Sequence, residues 1–450
     1  MAFAVLAGLS QASSGWGSTT YSLRILGTLN PGNAGLSYGF GINDAGTVVG
    51  SASNAAGTTD AFRWSLTDGM TDCGTLVVPY PTYGFGINGA GELSGYAMTQ
   101  SNGFAEAFHQ SPNGNLVVLP GLGGAGDWYA YAISEGGVMV GWSNTHNGCG
   151  SPLCASNPGR AITWSPGGVL SVLPDLGGYC AAATDISPDG SKICGYGANP
   201  AGQIRGFRLQ SGVATELPPL SGFDESYAWG VTNAGQVVGY SALGSTYRAT
   251  LWVANAPIDL GVTSGAAGSI AIRINESGVI VGYAVLAGPT YRALTFAAGS
   301  APTDLNAALD HATGFTLSWC NEVNSSGQIV GGADSSGVAR AFVLTPAGAS
   351  EVEPSVATAG PELREPVPNP TELGAELRFS LANAGRVQLL VISVSGRVVA
   401  RLLDAWMEAG EHAALWSGSD DQGRRMPAGV YLAKLTAESG VVTRKLIVRR

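Results

Sequence analysis

The sequence predicts an all-β chain in two parts, a seven-bladed β-propeller whose N-terminal strand closes the last blade, followed by a β-sandwich. Three observations carry this. Glycine supplies 67 of 450 residues while charged residues make up only 12%, a composition of many tight turns between short strands rather than of helical bundles. One turn recurs seven times, at 43–46, 88–91, 134–137, 187–190, 232–235, 275–278 and 324–327, with spacings of 45, 46, 53, 45, 43 and 49. Finally, the repeat stops near residue 345, a stretch rich in Pro, Ala, Ser and Glu follows at 346–366, and a different strand pattern fills 367–450.

Within a repeat, each turn opens on Asn, Ser or Thr, whose side chain can bond its own backbone, and closes on a glycine that tolerates positive φ. These are hairpin tips. Before the turn runs an alternating strand such as Tyr38, Phe40, Ile42 or Tyr227, Trp229, Val231, read as burying one face. After it comes a second strand ending in glycine, as in Val48, Val49, Gly50, then a third around Ala61, Phe62 or Ala341, Phe342. The fourth is read at 72–76, 118–122, 172–176, 216–220, 259–260 and 304–305, where prolines suit an outer edge. Its seventh copy, residues 25–29, precedes the first turn, so the N-terminal strand is expected to complete the last blade. Closing the ring in this way removes exposed sheet edges. The repeat containing Lys192 has one extra residue before its glycine, read as a bulge.

The run Gly-Ile-Asn-Asp-Ala-Gly-Thr-Val-Val-Gly ending at Gly50, with Ala61, Phe62 and the Asp-Cys-Gly-Thr-Leu of 72–76, resembles the HAF family of bacterial extracellular repeats over about residues 20–345. The chain departs from the His-Ala-Phe signature: the histidine position holds Asp60, Glu106, Arg160, Arg205, Arg248, Arg292 and Arg340. In the tail, Pro368, Asn369 and Pro370, the strands at 377–381 and 387–391, Trp416, and 429–432 with 445–448 resemble the FlgD-type immunoglobulin-like module. They also resemble the type A C-terminal sorting domain of type IX secretion. That resemblance implies an immunoglobulin-like β-sandwich over 367–450 that sorts or anchors the chain through secretion machinery. The strand pattern by itself gives a sandwich of about seven strands, for which a plain stalk serves equally well.

Residues 1–350 carry 20 acidic and 10 basic side chains, and 351–450 carry 12 of each, so the net charge of −10 belongs to the repeats. An acidic surface repels phosphate backbones and anionic lipid, which argues against nucleic acid and peripheral membrane partners. No run reaches the roughly 18 apolar residues of a spanning helix. Residues 1–12 resemble the apolar and cleavage regions of an export signal, with Ser10 and Ala12 at −3 and −1 but no basic start. An extracellular or outer-surface location is therefore expected. Six cysteines fit an oxidising compartment, with Cys149 and Cys154 the expected disulfide and Cys73, Cys180, Cys194 and Cys320 unassigned.

The sequence holds four histidines (109, 146, 311, 412) without a metal-ligand spacing and no Gly-x-Ser-x-Gly elbow, so neither metal, cofactor nor catalytic residue is assigned. The segments 187–190 and 420–423 lack the spaced acidic ligands of a Ca²⁺ loop and read as bare turns, and the recurring Trp64, Trp164 and Trp252 read as core. The second-to-third and fourth-to-first connections vary in length, and in a meander they share one face. Variable loops on a rigid scaffold are where binding concentrates, which nominates that face for a glycan or protein ligand. Trp128, Trp142, Tyr227, Tyr247, Tyr291, Asp127, Asp224 and Glu225 are placed near it, and Arg160, Arg205, Arg248, Arg292 and Arg340 along one rim. The arginines read equally well as surface ion pairs with the acidic excess. The leading function is a non-catalytic binding or adhesion propeller. A glycan-active lyase or hydrolase, with its site assembled from distant residues, is the alternative, and a purely structural envelope component a third.

Overall fold

A computed structural model describes residues 19–347 except 100–103, 113, 124–125, 145–158, 289 and 312. In the tail it describes residues 362–449 except 365, 372–373, 382–384, 394–396, 408–409 and 438–439. The expected export signal, most of the linker and the Cys149–Cys154 pair lie outside the described residues. The chain divides into two compact units, Met1–Ser350 and Glu351–Arg450. Among the described residues no helix is long and apolar enough to cross a membrane.

Unit 1 is a seven-bladed β-propeller of four-stranded antiparallel sheets. Blade 1 runs Ser37–Ile42, Val48–Ser53, Thr59–Ser65 and Gly69–Asp72 from the axis outward, and five more blades repeat this order. Blade 7 consists of Thr316–Val323, Ile329–Ser335 and Val338–Pro346, with Tyr21–Ile25 as its outermost strand. The expected N-terminal closure is thus present, with Tyr21 paired to Pro346 and Ile25 to Phe342. Core clusters form between blades: Ile42, Val48 and Phe62 of blade 1 pack with Val330, Ala341 and Val343 of blade 7.

The repeat motif follows from one backbone irregularity. Every inner strand carries a bulge at an equivalent site, between Gly39 and Gly41 in blade 1 and between Ala228 and Gly230 in blade 5, so two residues face one across the ladder. The bulge drives a carbonyl over the second-strand glycine. A Cβ on Gly50 would lie 2.0 Å from the Tyr38 carbonyl oxygen and 2.7 Å from the Phe62 ring. Gly95, Gly141, Gly195, Gly239, Gly282 and Gly331 meet the same obstacle, at 1.7 to 2.1 Å. Glycine after Val-Val and phenylalanine after Ala therefore belong to one packing unit.

The turn residues do more than turn. Asn43 Oδ1 accepts from the Thr47 amide at 2.9 Å while its Nδ2 donates to the Asn88 carbonyl of the next blade at 3.0 Å. Asn88, Asn275 and Asn324 reach forward in the same way, to Ser134, Asn324 and Asn43. Where the turn opens on Ser or Thr, the shorter side chain serves only its own turn, and the neighbouring turn residue takes over. The Asp189 amide donates to Asn233 and the Asn233 amide to Glu276, while Glu135 donates to the Pro188 carbonyl. All seven blade junctions are tied at this end. At the other end, Ser37, Thr82, Ser226 and Ser269 accept from the amides of Ala341, Ala61, Gly206 and Ala249.

Three expectations are corrected. The fourth strands lie earlier than read, at Leu116–Val118 and Leu170–Val172 for example. The Leu-Pro segments are the exits from them, where Leu119 and Leu173 turn inward and keep one bond to the third strand. The extra residue near Lys192 lengthens the turn, with Ser187 pairing with Lys192 as Asn43 does with Thr47; the only bulge in that strand pair is the common one, at Ala183/Asp185. Inner-strand aromatics are not the buried face: Tyr38 and Phe40 are half-buried while Ser37, Gly39 and Gly41 are buried. The tryptophan reading agrees with the structure at Trp164 and Trp252, fully buried and donating to the Pro120 and Pro218 carbonyls of the preceding blades.

Unit 2 contains two antiparallel sheets. One is ordered Glu362–Leu363, Ala375–Leu381, Gly410–Trp416, and the other Val398–Met407, Gly385–Ser393, Gly429–Ala437, Gly440–Val448. Leu363, Leu377 and Phe379 of the first share a core with Val387, Leu389 and Leu435 of the second, so the sheets pack face to face as a sandwich. The 420–423 segment is a self-satisfied turn, in which Asp420 accepts from the Gln422 and Arg424 amides and from the Arg424 side chain.

Candidate functional site

The inner-strand bulges place seven side chains in a ring about the axis: Phe40, Phe85, Tyr131, Thr184, Trp229, Ile272 and Asn321. A second set stands two residues earlier, where the strands begin under the variable loops, and includes Tyr38, Tyr83, Tyr129, Tyr227 and Trp319. Second-strand aromatics extend it through Tyr96, Trp142, Tyr196, Tyr240 and Tyr283. The rings touch from blade to blade: Phe40–Phe85 at 4.9 Å, Tyr96–Tyr129 at 4.6 Å, Tyr38–Trp319 at 6.0 Å, Trp319–Tyr291 at 6.2 Å and Tyr196–Tyr227 at 5.1 Å. Burial and neighbouring phenols push the Tyr196 and Tyr240 hydroxyls well above the ordinary tyrosine range. They remain neutral donors. Apart from the fully buried Trp142, these rings are half-buried, on strands that begin or end under the variable loops.

On the opposite side of this belt, among the hairpin tips, an axial cavity of about 240 Å³ draws lining residues from all seven blades. Phe85 and Tyr131 of the belt also line it. The residue following the bulge is Gly41, Gly86, Ala132 and Gly230 in four blades, and Asp185, Arg273 and Glu322 in the other three. Small residues leave the room that the charged ones use. Arg273 Nε donates to Glu322 Oε2 at 3.0 Å, and its Nη1 donates to the carbonyls of Trp229 and Ile272. Its Nη2 has Asp185 Oδ1 at 3.9 Å, beyond hydrogen-bond reach. Asp185 Oδ2 accepts from the Val231 amide, and Glu322 Oε1 from the Val323 amide.

Burial raises the Glu322 carboxyl to about 7 against the pull of Arg273, and raises Asp185 for the same reason. Burial opposes the charge on Arg273 too, but the two carboxylates more than offset it and hold the guanidinium protonated. The mouth is acidic, with Asp44, Glu135 and Glu276 spending carboxylate oxygens on backbone amides of adjacent turns. Among the described residues no group of three or more His, Cys, Asp or Glu side chains is arranged to hold a metal ion.

The residues nominated from sequence separate into two kinds. Tyr227, Tyr247 and Tyr291 join the belt: Tyr227 stacks on Tyr240 at 4.8 Å and donates to Glu225, while Tyr247 meets Tyr240 edge-on and Tyr291 meets Tyr283. Asp224 is exposed beside them. Trp142 is fully buried, stacked on Tyr129 and donating to the Tyr131 hydroxyl at 2.9 Å; it supports the belt from behind. Asp127 is buried and accepts from the Ala105 amide at 3.0 Å, doing for its blade junction what serine does elsewhere. Trp128 packs across Gly121 and donates to the Leu119 carbonyl.

The rim arginines are paired: Arg160 with Asp175, Arg205 with Glu216 and Arg248 with Asp259, each joining third strand to fourth or its exit. Arg340 binds the carbonyls of Asn33 and Gly35, and Arg292 bonds the Tyr291 carbonyl. Of the unassigned cysteines, Cys73, Cys180, Cys194 and Cys320 are free thiols, the last three buried. Sequence reasoning missed the axial Asp185, Arg273 and Glu322. The signal was available: charged residues at a repeat position otherwise held by Gly or Ala.

No protein-family model and no curated protein matches the chain. Among solved structures it is similar to a TolB from Acinetobacter baumannii, at 14% identity over 48% of this chain and 51% of that one, with a TM-score of 0.34. It is also similar to a streptogramin B lyase, at 11% over 73% of this chain and 98% of that one, TM-score 0.47. A third is PorZ, a surface component of the type IX secretion system of Porphyromonas gingivalis, at 11% over 96% of this chain and 58% of that one, TM-score 0.33. The chain thus spans about half the length of that TolB and under two thirds of PorZ. At such identities and TM-scores the likenesses carry no argument about activity.

Proposed function

We propose that this chain is an exported binding propeller that holds a glycan or protein at its variable-loop face without transforming it. The observation that carries the reading is the aromatic belt. Half-buried rings from most blades stand where the inner strands emerge under the loops, on a ring tied at every junction. Aromatic faces with phenolic hydroxyls suit sugar rings and peptide side chains alike, and a scaffold tied in this way keeps them preorganised. The HAF resemblance of the repeats supports an extracellular setting. For the tail, the resemblance to the FlgD-type and type IX sorting modules, with a sandwich of seven strands among the described residues where those motifs lie, supports a sorting or anchoring role through secretion machinery.

The test is a polysaccharide panel against the full chain, recording retention and release of shortened products. Retention that weakens tenfold or more in Tyr227→Ala and Tyr291→Ala, without products, agrees with the binding reading. Product release overturns it. One observation favours a glycan-active enzyme instead: the two raised carboxyls, Asp185 and Glu322, flank one arginine in the axial cavity, the kind of perturbed pair that acid–base chemistry uses. Glu322→Gln would then abolish release. The mass of the mature native protein tests the tail: loss of the segment after about residue 367 marks a cleaved sorting signal, and an intact tail marks a stalk.

A further inference from the structure

The geometry points to a second site: we propose that the axial cavity among the hairpin tips binds a free, uncharged polyol of the size of one hexose ring. At about 240 Å³ it lies below the roughly 300 to 1,000 Å³ of drug-sized ligand sites. That is room for one buried ring at a time. Its chemistry is mixed in the way hydroxyl groups require. Arg273 Nη2 offers donors that Asp185, at 3.9 Å, does not take up, while Asp185 accepts from the Val231 and Ile186 amides, Glu322 accepts from Arg273 and the Val323 amide, and both carboxylates keep further lone pairs. A hydroxyl both donates and accepts, so one polyol can bridge guanidinium and carboxylate together. Phe85 and Tyr131 supply apolar walls for its C–H faces.

The acidic mouth selects against anions. Asp44, Glu135 and Glu276 surround the entrance, so a uronate or sugar phosphate meets repulsion before it reaches Arg273. The site does not depend on the variable-face reading, because it opens at the opposite end of the inner strands.

Saturation-transfer NMR on the full chain tests the proposal with glucose, galactose, myo-inositol, glucosamine and glucuronate as separate probes. At least one neutral polyol is expected to receive saturation and glucuronate is not. Arg273→Met should weaken that signal by at least about tenfold. Because Arg273 also joins blades, a second variant guards against misfolding: Ser325→Trp places a large ring at an exposed lining position and should remove the signal while the melting temperature stays unchanged. Polysaccharide retention is measured in the same variant, so loss of one signal without the other separates the two sites. Three results overturn the proposal: no transfer to any neutral polyol, transfer to glucosamine alone, or transfer that survives both variants.

Discussion

At the scale of single residues, the turn asparagine and the second-strand glycine carry the propeller. The asparagine has two jobs that different atoms perform, so they can be separated. Asn324→Asp keeps the oxygen that accepts from the Gln328 amide and loses the nitrogen that donates to Asn43, leaving a carboxylate against a carbonyl. Urea unfolding should register a loss of about 1 to 3 kcal/mol; an unchanged midpoint would mean that the inter-blade bond contributes nothing. Gly50→Ala forces a Cβ to within 2.0 Å of the Tyr38 carbonyl oxygen, and backbone on both strands must shift. A cost of about 3 kcal/mol or more is expected. Gly314→Ala is the matched control, since a Cβ there meets nothing within 4 Å, and its midpoint should move by less than about 0.5 kcal/mol.

At the scale of elements, the strand Tyr21–Ile25 decides whether the ring is closed. It covers the outer edge of Val338–Pro346 along five paired positions and brings Tyr21 into the core of blade 7. The exit beyond it repeats that of other blades, with the Leu26 amide bonded to the Ala341 carbonyl as Cys73 is to Ala61. Removal of residues 1–26 leaves an unpaired edge and an unfilled core position. Size-exclusion chromatography should then find association or aggregation beyond that of the full chain. A monomeric truncation that unfolds cooperatively at the parent's midpoint would refute this.

At the scale of the whole molecule, the axial charges add links from blade 4 to blade 7, including two junctions that no turn-opening asparagine side chain reaches across. Blades 3, 4 and 5 open their turns on Ser134, Ser187 and Thr232, and here Asp185 reaches the Val231 amide while Arg273 reaches the Trp229 carbonyl and Glu322. This brace is sensitive to pH. Burial raises the Glu322 carboxyl from 4.5 to about 7, so between those values the folded chain retains a proton that the unfolded chain has released. The stability tied to that proton is full below pH 4.5 and declines as pH rises to about 7. Asp185, raised by burial, acts in the same direction. The melting temperature should fall across this window, and Glu322→Gln should flatten the fall; an identical slope in the variant would remove Glu322 as its source.

Repeat number, strand order within a blade and closure by the N-terminal strand were all legible in the sequence, because each depends on local signals: turn residues, alternation and the misplaced copy at 25–29. Where a side chain points after a bulge was not. The alternation of Tyr38, Phe40 and Ile42 read as a buried face, yet a bulge at the same point of every inner strand left Tyr38 and Phe40 half-buried and gave the blade contacts to glycine. Trp142 and Asp127 looked like ligand groups and proved to be support, since burial is a property of neighbours that the local pattern does not contain. Asp185, Arg273 and Glu322 are far apart in the chain. Only ring closure brings them to one axis, where low dielectric and mutual charge give them properties that none has alone.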